Sequence, residues 1–156
     1  MLIVPSTFFG LRENVLERAG SIVEKPSSNP LIIETTGGDL NYRKILFVNW
    51  SLPVMVDNDE ILSESIRLFI TKSIEYVMGE SKSVVFAIPD WCEEEEILAE
   101  EMIEQTINQI KSIALKVAFV FQPDQSTVYQ RFLTTLEKVR QAENHFGEFH
   151  CPITSK

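Results

Sequence analysis

The feature that most constrains the fold is a series of short apolar runs that alternate with longer amphipathic segments. The runs occupy residues 2–4, 45–48, 84–88 and 117–121. A strand buried on both faces has a continuous apolar sequence, whereas a helix covering a sheet has apolar residues every three to four positions. The alternation therefore predicts an α/β domain with a mixed, mostly parallel sheet covered by helices on both faces.

Four segments have the periodicity of amphipathic helices, and three of them begin near a residue that can cap the helix. Their apolar positions fall within residues 11–19, 62–77, 98–110 and 128–139. The predicted N-caps are Ser6 or Thr7 for the first helix, one of residues 57–59 for the second, and Asp124 or Ser126 for the last. Gly20 is predicted to end the first helix.

A glycine pair marks the antiparallel part of the sheet. Gly37 and Gly38 lie between the apolar residues 31–33 and the run at 45–48, which is a typical hairpin pattern. Residues 25–30 (KPSSNP) are predicted to be a loop.

Composition limits the classes of function. The chain has 156 residues, which suits a single domain. Its net charge of −9 argues against a nucleic-acid partner, because phosphate backbones are bound by Lys and Arg. It contains no apolar run near the ~20 residues of a membrane span and no signal-peptide pattern, so we expect a cytoplasmic or nuclear location and no membrane partner. Cys92 and Cys151 are expected to be free thiols.

Residues 81–102 form the junction at which an α/β protein would hold a ligand. A buried strand is followed by a short loop and then by an acidic helix. Such loops usually supply backbone N–H groups to anions. Here the loop contains Pro89, Asp90 and Trp91, has no glycine, and leads into four glutamates at 93–96.

The order of these segments resembles the macro domain, the family of ADP-ribose-binding modules. The similarity lies in the strand–glycine turn–strand of residues 31–48 (LIIETTGGDLNYRKILFV), the helix at 59–76, the strand at 83–87 and the strand and helix at 117–132. It covers about residues 10–140 and is closest to macro domains of multi-domain, poly-ADP-ribose-polymerase-type proteins. The resemblance implies a three-layer αβα fold, with one domain over residues 1–140 and a C-terminal tail over 141–156.

The resemblance weakens at the family's ligand-binding motifs. The family's Val-Asn-Ala-Ala-Asn corresponds to Val4-Pro5-Ser6-Thr7, and its first glycine loop corresponds to residues 7–12, where only Gly10 is a glycine. Its second phosphate loop corresponds to residues 88–92, which contain no glycine. The family's opening strands and adenine-binding aspartate have no counterpart in this sequence, which leaves open whether the chain is part of a longer protein.

These departures predict weak or absent ADP-ribose binding. Glycine permits the close backbone approach that a diphosphate requires, whereas proline has no N–H to donate. Glutamates at the start of a helix stabilise the helix but repel phosphate, each by about 0.3–1 kcal/mol.

If a ligand site is retained, its predicted residues are Gly10, Pro89, Asp90, Trp91, Cys92, Phe121 and Asp124. Two of them have an alternative structural role. Phe121 resembles the aromatic residue that stacks on adenine, or it belongs to the core. Asp124 contacts ribose or caps a helix.

Trp91 either anchors a protein partner or covers the vacated pocket. Cys92 lies near a helix N-terminus, which lowers a thiol pKa, but the neighbouring glutamates act in the opposite direction, so we do not predict a catalytic cysteine. The residues His145, His150 and Cys151 do not have a recognised metal-ligand spacing. The sequence therefore predicts no metal and no cofactor.

Three functions follow from these patterns. The preferred one is a non-catalytic, degenerate macro-type domain that acts as an interaction or structural module. Its partner would bind through Trp91 or through Glu100, Glu101 and Glu104 of the acidic helix. The alternative is a reader of ADP-ribose or of ADP-ribosylated protein. An ADP-ribosyl hydrolase is the least favoured, because the early asparagine and the glycine loop are both missing.

Overall fold

A computed structural model describes residues 1–50, 58–89 and 94–143 of the chain. Within these ranges, six strands and four helices follow one another. They are β1 (Leu2–Pro5), α1 (Phe9–Ala19), β2 (Lys25–Pro26), β3 (Ile32–Thr36), β4 (Lys44–Val48), α2 (Asp59–Val77), β5 (Ser83–Ala87), α3 (Glu95–Ile110), β6 (Lys116–Val120) and α4 (Ser126–Glu143). The predicted α/β class and the predicted sheet are confirmed.

The strands form one mixed sheet in the order β2-β3-β4-β1-β5-β6. Strands β4, β1, β5 and β6 are mutually parallel, whereas β3 is antiparallel to β4 and β2 is antiparallel to β3. The carboxyl ends of the four parallel strands therefore meet at one edge of the sheet. The loops that leave these ends are called the exit loops below.

Helices cover both faces of the sheet. Helices α2, α3 and α4 share one apolar core with alternate residues of the strands, including Ile3, Leu46 and Phe86. Helix α1 covers the other face and packs on the intervening residues, including Val4 and Phe47. Because residues of one strand alternate between its two faces, each parallel strand supplies both cores, which explains its continuous apolar sequence.

A row of aromatic rings crosses the larger core from the loop after β1 to the loop after β6. Successive ring centroids lie 4.7–6.0 Å apart. The rings belong to Phe8, Trp50, Phe69, Phe86, Phe119, Phe132 and Phe121. This row joins the first exit loop to the last, so packing couples opposite ends of the site.

Two predicted helix boundaries are confirmed. The side chain of Asn58 accepts a hydrogen bond from the backbone N–H of Glu60 and caps α2. Gly20 ends α1 with φ of 73°, a left-handed conformation that glycine adopts without strain. The hairpin predicted at Gly37 and Gly38 is also confirmed, because these residues connect the antiparallel strands β3 and β4.

Three local predictions are wrong. Neither Ser6 nor Thr7 caps α1, because Phe8 occupies the N-cap position and makes no side-chain cap bond. Neither Asp124 nor Ser126 caps α4, because the carbonyl of Gln125 accepts the first helical bond, from Tyr129 N–H. The loop predicted at 25–30 contains the short strand β2, which pairs with β3 at the sheet edge, where proline is tolerated.

In the described part of the chain, none of the helices has the length and apolar character needed to cross a bilayer. Helix α4 continues to Glu143, so it includes the first three residues of the tail predicted at 141–156. The rest of that tail lies outside the described residues.

Candidate functional site

The connections between strands and helices place the candidate site at the exit loops. Strand β1 leads into α1 on one face of the sheet, whereas its neighbours β4 and β5 lead into α2 and α3 on the other face. Loops that depart to opposite faces leave a crevice between them, and α/β proteins hold ligands in such crevices. The crevice here lies at the carboxyl end of β1.

The exit loops of β1 and β4 are fastened to each other. The Thr7 hydroxyl donates a hydrogen bond to the carbonyl of Trp50 at 2.6 Å and accepts one from the Trp50 backbone N–H at 3.1 Å. The Trp50 ring is 2% exposed; it stacks on Phe69 at 4.7 Å and meets the edge of Phe8 at 5.7 Å. Side-chain contacts of Thr7 and Phe8 thus hold the loop before α1 against the loop after β4.

Gln125 fastens the exit loops of β5 and β6. Its side-chain Nε2 donates to the carbonyls of Ile88 and Pro89 at 3.1 and 2.9 Å, and its Oε1 accepts from the backbone N–H of Gln122 at 2.7 Å. The residue is 4% exposed. A single buried amide therefore uses both of its N–H groups and its oxygen to join the two loops.

Most of the described backbone N–H groups in the exit loops are bonded within the protein. Ser6 N–H donates to Val48 at 2.9 Å, Phe8 N–H to Pro5 at 3.3 Å, and Ile88 N–H to Val120 at 2.9 Å. In addition, the backbone N–H of Gln122 donates to the side-chain oxygen of Gln125, and Pro89 and Pro123 have no backbone N–H. The described loops therefore present few donors to an anion.

A cleft of about 170 Å³ opens on the α1 face beside the exit loops. Its lining comes from α1, from the starts and ends of the parallel strands and from the β3–β4 connection. The lining residues are Leu2, Leu11, Asn14, Val15, Arg18, Leu40, Tyr42, Ala87, Val120, Phe121, Gln122 and Pro123. A hydrogen bond of 3.1 Å from Asn14 Nδ2 to Gln122 Oε1 links α1 to the β6 exit loop.

Two of the predicted site residues lie in exit loops, Pro89 after β5 and Phe121 after β6. Pro89 is buried, and its carbonyl is bound by Gln125. Phe121 is half-buried at the end of the cleft, where its ring meets Tyr129 and Phe132 edge-on at 5.3 and 5.1 Å. Phe121 therefore contacts the core and also lines the cleft, whereas its stacking on adenine stays a prediction.

Two other predicted residues are accessible. Gly10 is the second residue of α1, and a Cβ added to it would have open space around it. Asp124 lies in the exposed turn before α4. The remaining predicted residues, Asp90, Trp91 and Cys92, lie outside the described residues.

Sequence reasoning missed Gln125 and the Thr7–Trp50 pair. The burial of Gln125 could have been predicted from helical spacing. Gln125 lies three positions before Val128 and seven before Phe132, both on the apolar face of α4. The contact between Thr7 and Trp50 joins residues 43 positions apart, and no local pattern indicates it.

The ionisable groups with shifted pKa values lie mostly away from the exit loops. At β3, the hydroxyl of Tyr76 donates to Glu34 and, with Lys44 nearby, holds the pKa of Glu34 below its usual value. Between α2 and α3, Glu101 accepts two hydrogen bonds from Arg67, at 2.7 and 3.0 Å, which lower the pKa of Glu101. No group of three or more metal-ligating side chains occurs among residues 1–50, 58–89 and 94–143.

Comparison with solved structures identifies the fold. The chain aligns with the Oceanobacillus iheyensis macrodomain with ADP at a TM-score of 0.69 and 14% identity, covering 90% of this chain and 85% of that one. It aligns with a mutant of that macrodomain with ADPR at 0.68 and 15% identity, covering 90% and 86%. No family model and no curated protein matches the chain. The protein therefore has the macrodomain fold.

Proposed function

We propose that this protein is a non-catalytic, degenerate macro-type module whose exit-loop site has weak or no affinity for ADP-ribose. The observation that carries the proposal is the internal bonding of the exit-loop amides. Donors at Ser6, Phe8, Ile88 and Gln122 are directed at protein acceptors. A diphosphate that used these four donors would have to break these bonds before it gained its own.

The energetic consequence is large enough to decide between binding and non-binding. A hydrogen bond to a charged group contributes about 1.5–3 kcal/mol. Two such bonds fewer would weaken binding by about a hundredfold to ten-thousandfold, since 1.4 kcal/mol is a factor of ten. Glu95 and Glu96, in the first turn of α3, add repulsion in the same direction.

The proposed role is that of an interaction or structural module within a larger protein of the poly-ADP-ribose-polymerase type, in the cytoplasm or nucleus. Glu101 is engaged by Arg67, so a basic partner would meet Glu104, which is exposed, and Glu100, which is half-exposed. Trp91 remains the other proposed point of contact. The module is proposed to need no cofactor.

Calorimetric titration with ADP-ribose tests the proposal. We expect no measurable heat of binding at ADP-ribose concentrations up to about 1 mM, which corresponds to a binding free energy weaker than about −4.1 kcal/mol. A dissociation constant in the micromolar range or tighter would contradict the proposal. A turnover assay on mono-ADP-ribosylated protein addresses the hydrolase, and sustained release of ADP-ribose would establish it.

The second candidate is a reader of ADP-ribose, favoured by one observation. Gly10 lies at the N-terminus of α1 with open space around it, which would let a phosphate approach the helix. If the titration shows binding, the reader predicts that Gly10→Val removes it, because the new side chain would occupy that space. Gln130→Ala, at an exposed position of α4, is the control that should leave binding unchanged.

A further inference from the structure

The cleft on the α1 face extends away from the exit loops towards the opposite edge of the sheet. Phe121 and Gln122 line the end that follows β6. Helix α1 returns across the sheet, so that Arg18, in its last turn, lines the cleft together with Leu2, the first residue of β1. The cleft therefore has an aromatic end at the exit loops and a cationic end at the start of the parallel strands.

The floor of the cleft is apolar. Leu2, Leu11 and Val15 are at most 8% exposed, and Ala87 is 4% exposed. An apolar concave surface with a few convergent polar groups is the usual form of a small-molecule site.

The polar groups at the cationic end have no partner within the described structure. Arg18 is exposed, and among the described residues it forms no ion pair. Tyr42 is half-buried, and burial raises the pKa of its phenol, which therefore remains a hydrogen-bond donor. The charge of the lining is unusual for this chain: none of the described lining residues is acidic, although the sequence has 23 Asp and Glu and a net charge of −9.

The volume limits the apolar part of a ligand. The cleft measures about 170 Å³, and an enclosed apolar cavity of about 150 Å³ holds one benzene molecule. One ring, or a branched chain of similar size, would fill it.

We propose that this cleft binds a compact apolar carboxylate, with a ring-sized apolar group on the floor and the carboxylate at Arg18 and Tyr42. Arg18 supplies a charged fork that matches a carboxylate, and Tyr42 adds a neutral donor. The carboxylate belongs either to a free small acid or to the C-terminus of a peptide that ends in an aromatic residue. The carboxylate end of this site, at Arg18 and Tyr42, lies at the start of the parallel strands, whereas a diphosphate would bind at their carboxyl ends. The two sites share only the aromatic end of the cleft, at Phe121 and Gln122.

Titration of the whole chain with 3-phenylpropionate, followed by amide chemical shifts, tests the proposal. The neutral analogue 3-phenylpropanol isolates the contribution of the charge. The variant Arg18→Gln removes the cation from an exposed position, and Arg131→Gln removes the same charge from an exposed position on α4. A parallel titration with an acetylated tripeptide ending in phenylalanine distinguishes the two sources of the carboxylate.

We expect saturable shifts at Val15, Tyr42 and Val120, an affinity at least about tenfold lower for Arg18→Gln, and no change for Arg131→Gln. Tighter binding of the tripeptide than of 3-phenylpropionate would assign a peptide C-terminus, and the reverse order a free acid. Equal affinity of Arg18→Gln and the unaltered protein, equal affinity for the alcohol, or no shifts at these residues would overturn the proposal. The comparison of Arg18→Gln with the unaltered protein is made without ADP-ribose, so failure of the proposed function would not by itself change its outcome.

Discussion

Replacing Trp50 with alanine is expected to lower the free energy of unfolding by about 3–5 kcal/mol, the usual cost of removing a large buried aromatic side chain. Trp50 is 2% exposed, stacks on Phe69 at 4.7 Å and contacts Phe8 at 5.7 Å. Its removal would leave a cavity where the aromatic row meets the first exit loop. Domains of this kind are stable by about 5–15 kcal/mol, so this loss is a large share of the total stability.

Urea unfolding followed by circular dichroism measures this loss. Trp50→Phe is the matched variant, because it keeps a ring for Phe69 but loses the hydrogen bond from Nε1 to Ser65, at 3.3 Å; a loss of about 1 kcal/mol is expected. Leu68→Ala, at a position 50% exposed, should change stability by less than about 0.5 kcal/mol. A Trp50→Ala loss no larger than that of Leu68→Ala would contradict the packing described for the exit loops.

Replacing Gln125 with alanine is the second change with a large expected effect. It would leave the carbonyls of Ile88 and Pro89 and the N–H of Gln122 without their partner at a position that is 4% exposed. Each buried polar group left unsatisfied costs about 1–3 kcal/mol. We expect a total loss of at least about 2 kcal/mol in urea unfolding, with Gln130→Ala as the exposed control on the same helix.

The variant Gln125→Glu separates hydrogen bonding from side-chain volume. A carboxylate can still accept from Gln122, but it cannot donate to the two carbonyls, and its charge would be buried beside them. Burial and the carbonyls should raise the pKa of the introduced carboxyl above its unfolded value. The variant should therefore gain stability relative to the unaltered protein as the pH falls through the raised pKa, whereas Gln125→Ala should not. Parallel pH profiles of the two variants would contradict the assigned role.

Much of the fold was predictable because its strands and helices depend on local periodicity. The runs at 45–48 and 84–88 became β4 and β5 nearly to the residue, since burial on both faces leaves no polar position. Strand β2 was not predictable, because Lys25 and Pro26 pair at the sheet edge through backbone geometry that their side chains do not indicate. Thr7 does not cap α1 as predicted, because its hydroxyl is hydrogen-bonded to the backbone of Trp50, which lies in a distant segment of the chain.

The candidate site was predictable only in outline. Its place at the strand ends follows from the order of the segments, since Pro89 and Phe121 come shortly after β5 and β6. The part of these two residues in ligand binding stays a prediction. The hydrogen bonds that engage the exit-loop donors form between segments distant in sequence. The side chain of Gln125, for example, bonds to carbonyls 36 and 37 positions away. Such hydrogen-bond partners cannot be predicted from local sequence, because they meet only once β5 pairs with β6 in the sheet.

Amide hydrogen exchange in the presence and absence of ADP-ribose tests the central claim most directly. The claim is that the exit-loop N–H groups of Ser6, Ile88 and Gln122 are bonded to protein acceptors and are therefore closed to a diphosphate. These three amides should exchange slowly in the free protein, relative to Asp124 in its exposed turn, and ADP-ribose at about 1 mM should leave their rates unchanged. Fast exchange of the three amides in the free protein, with protection when ADP-ribose is added, would contradict the account.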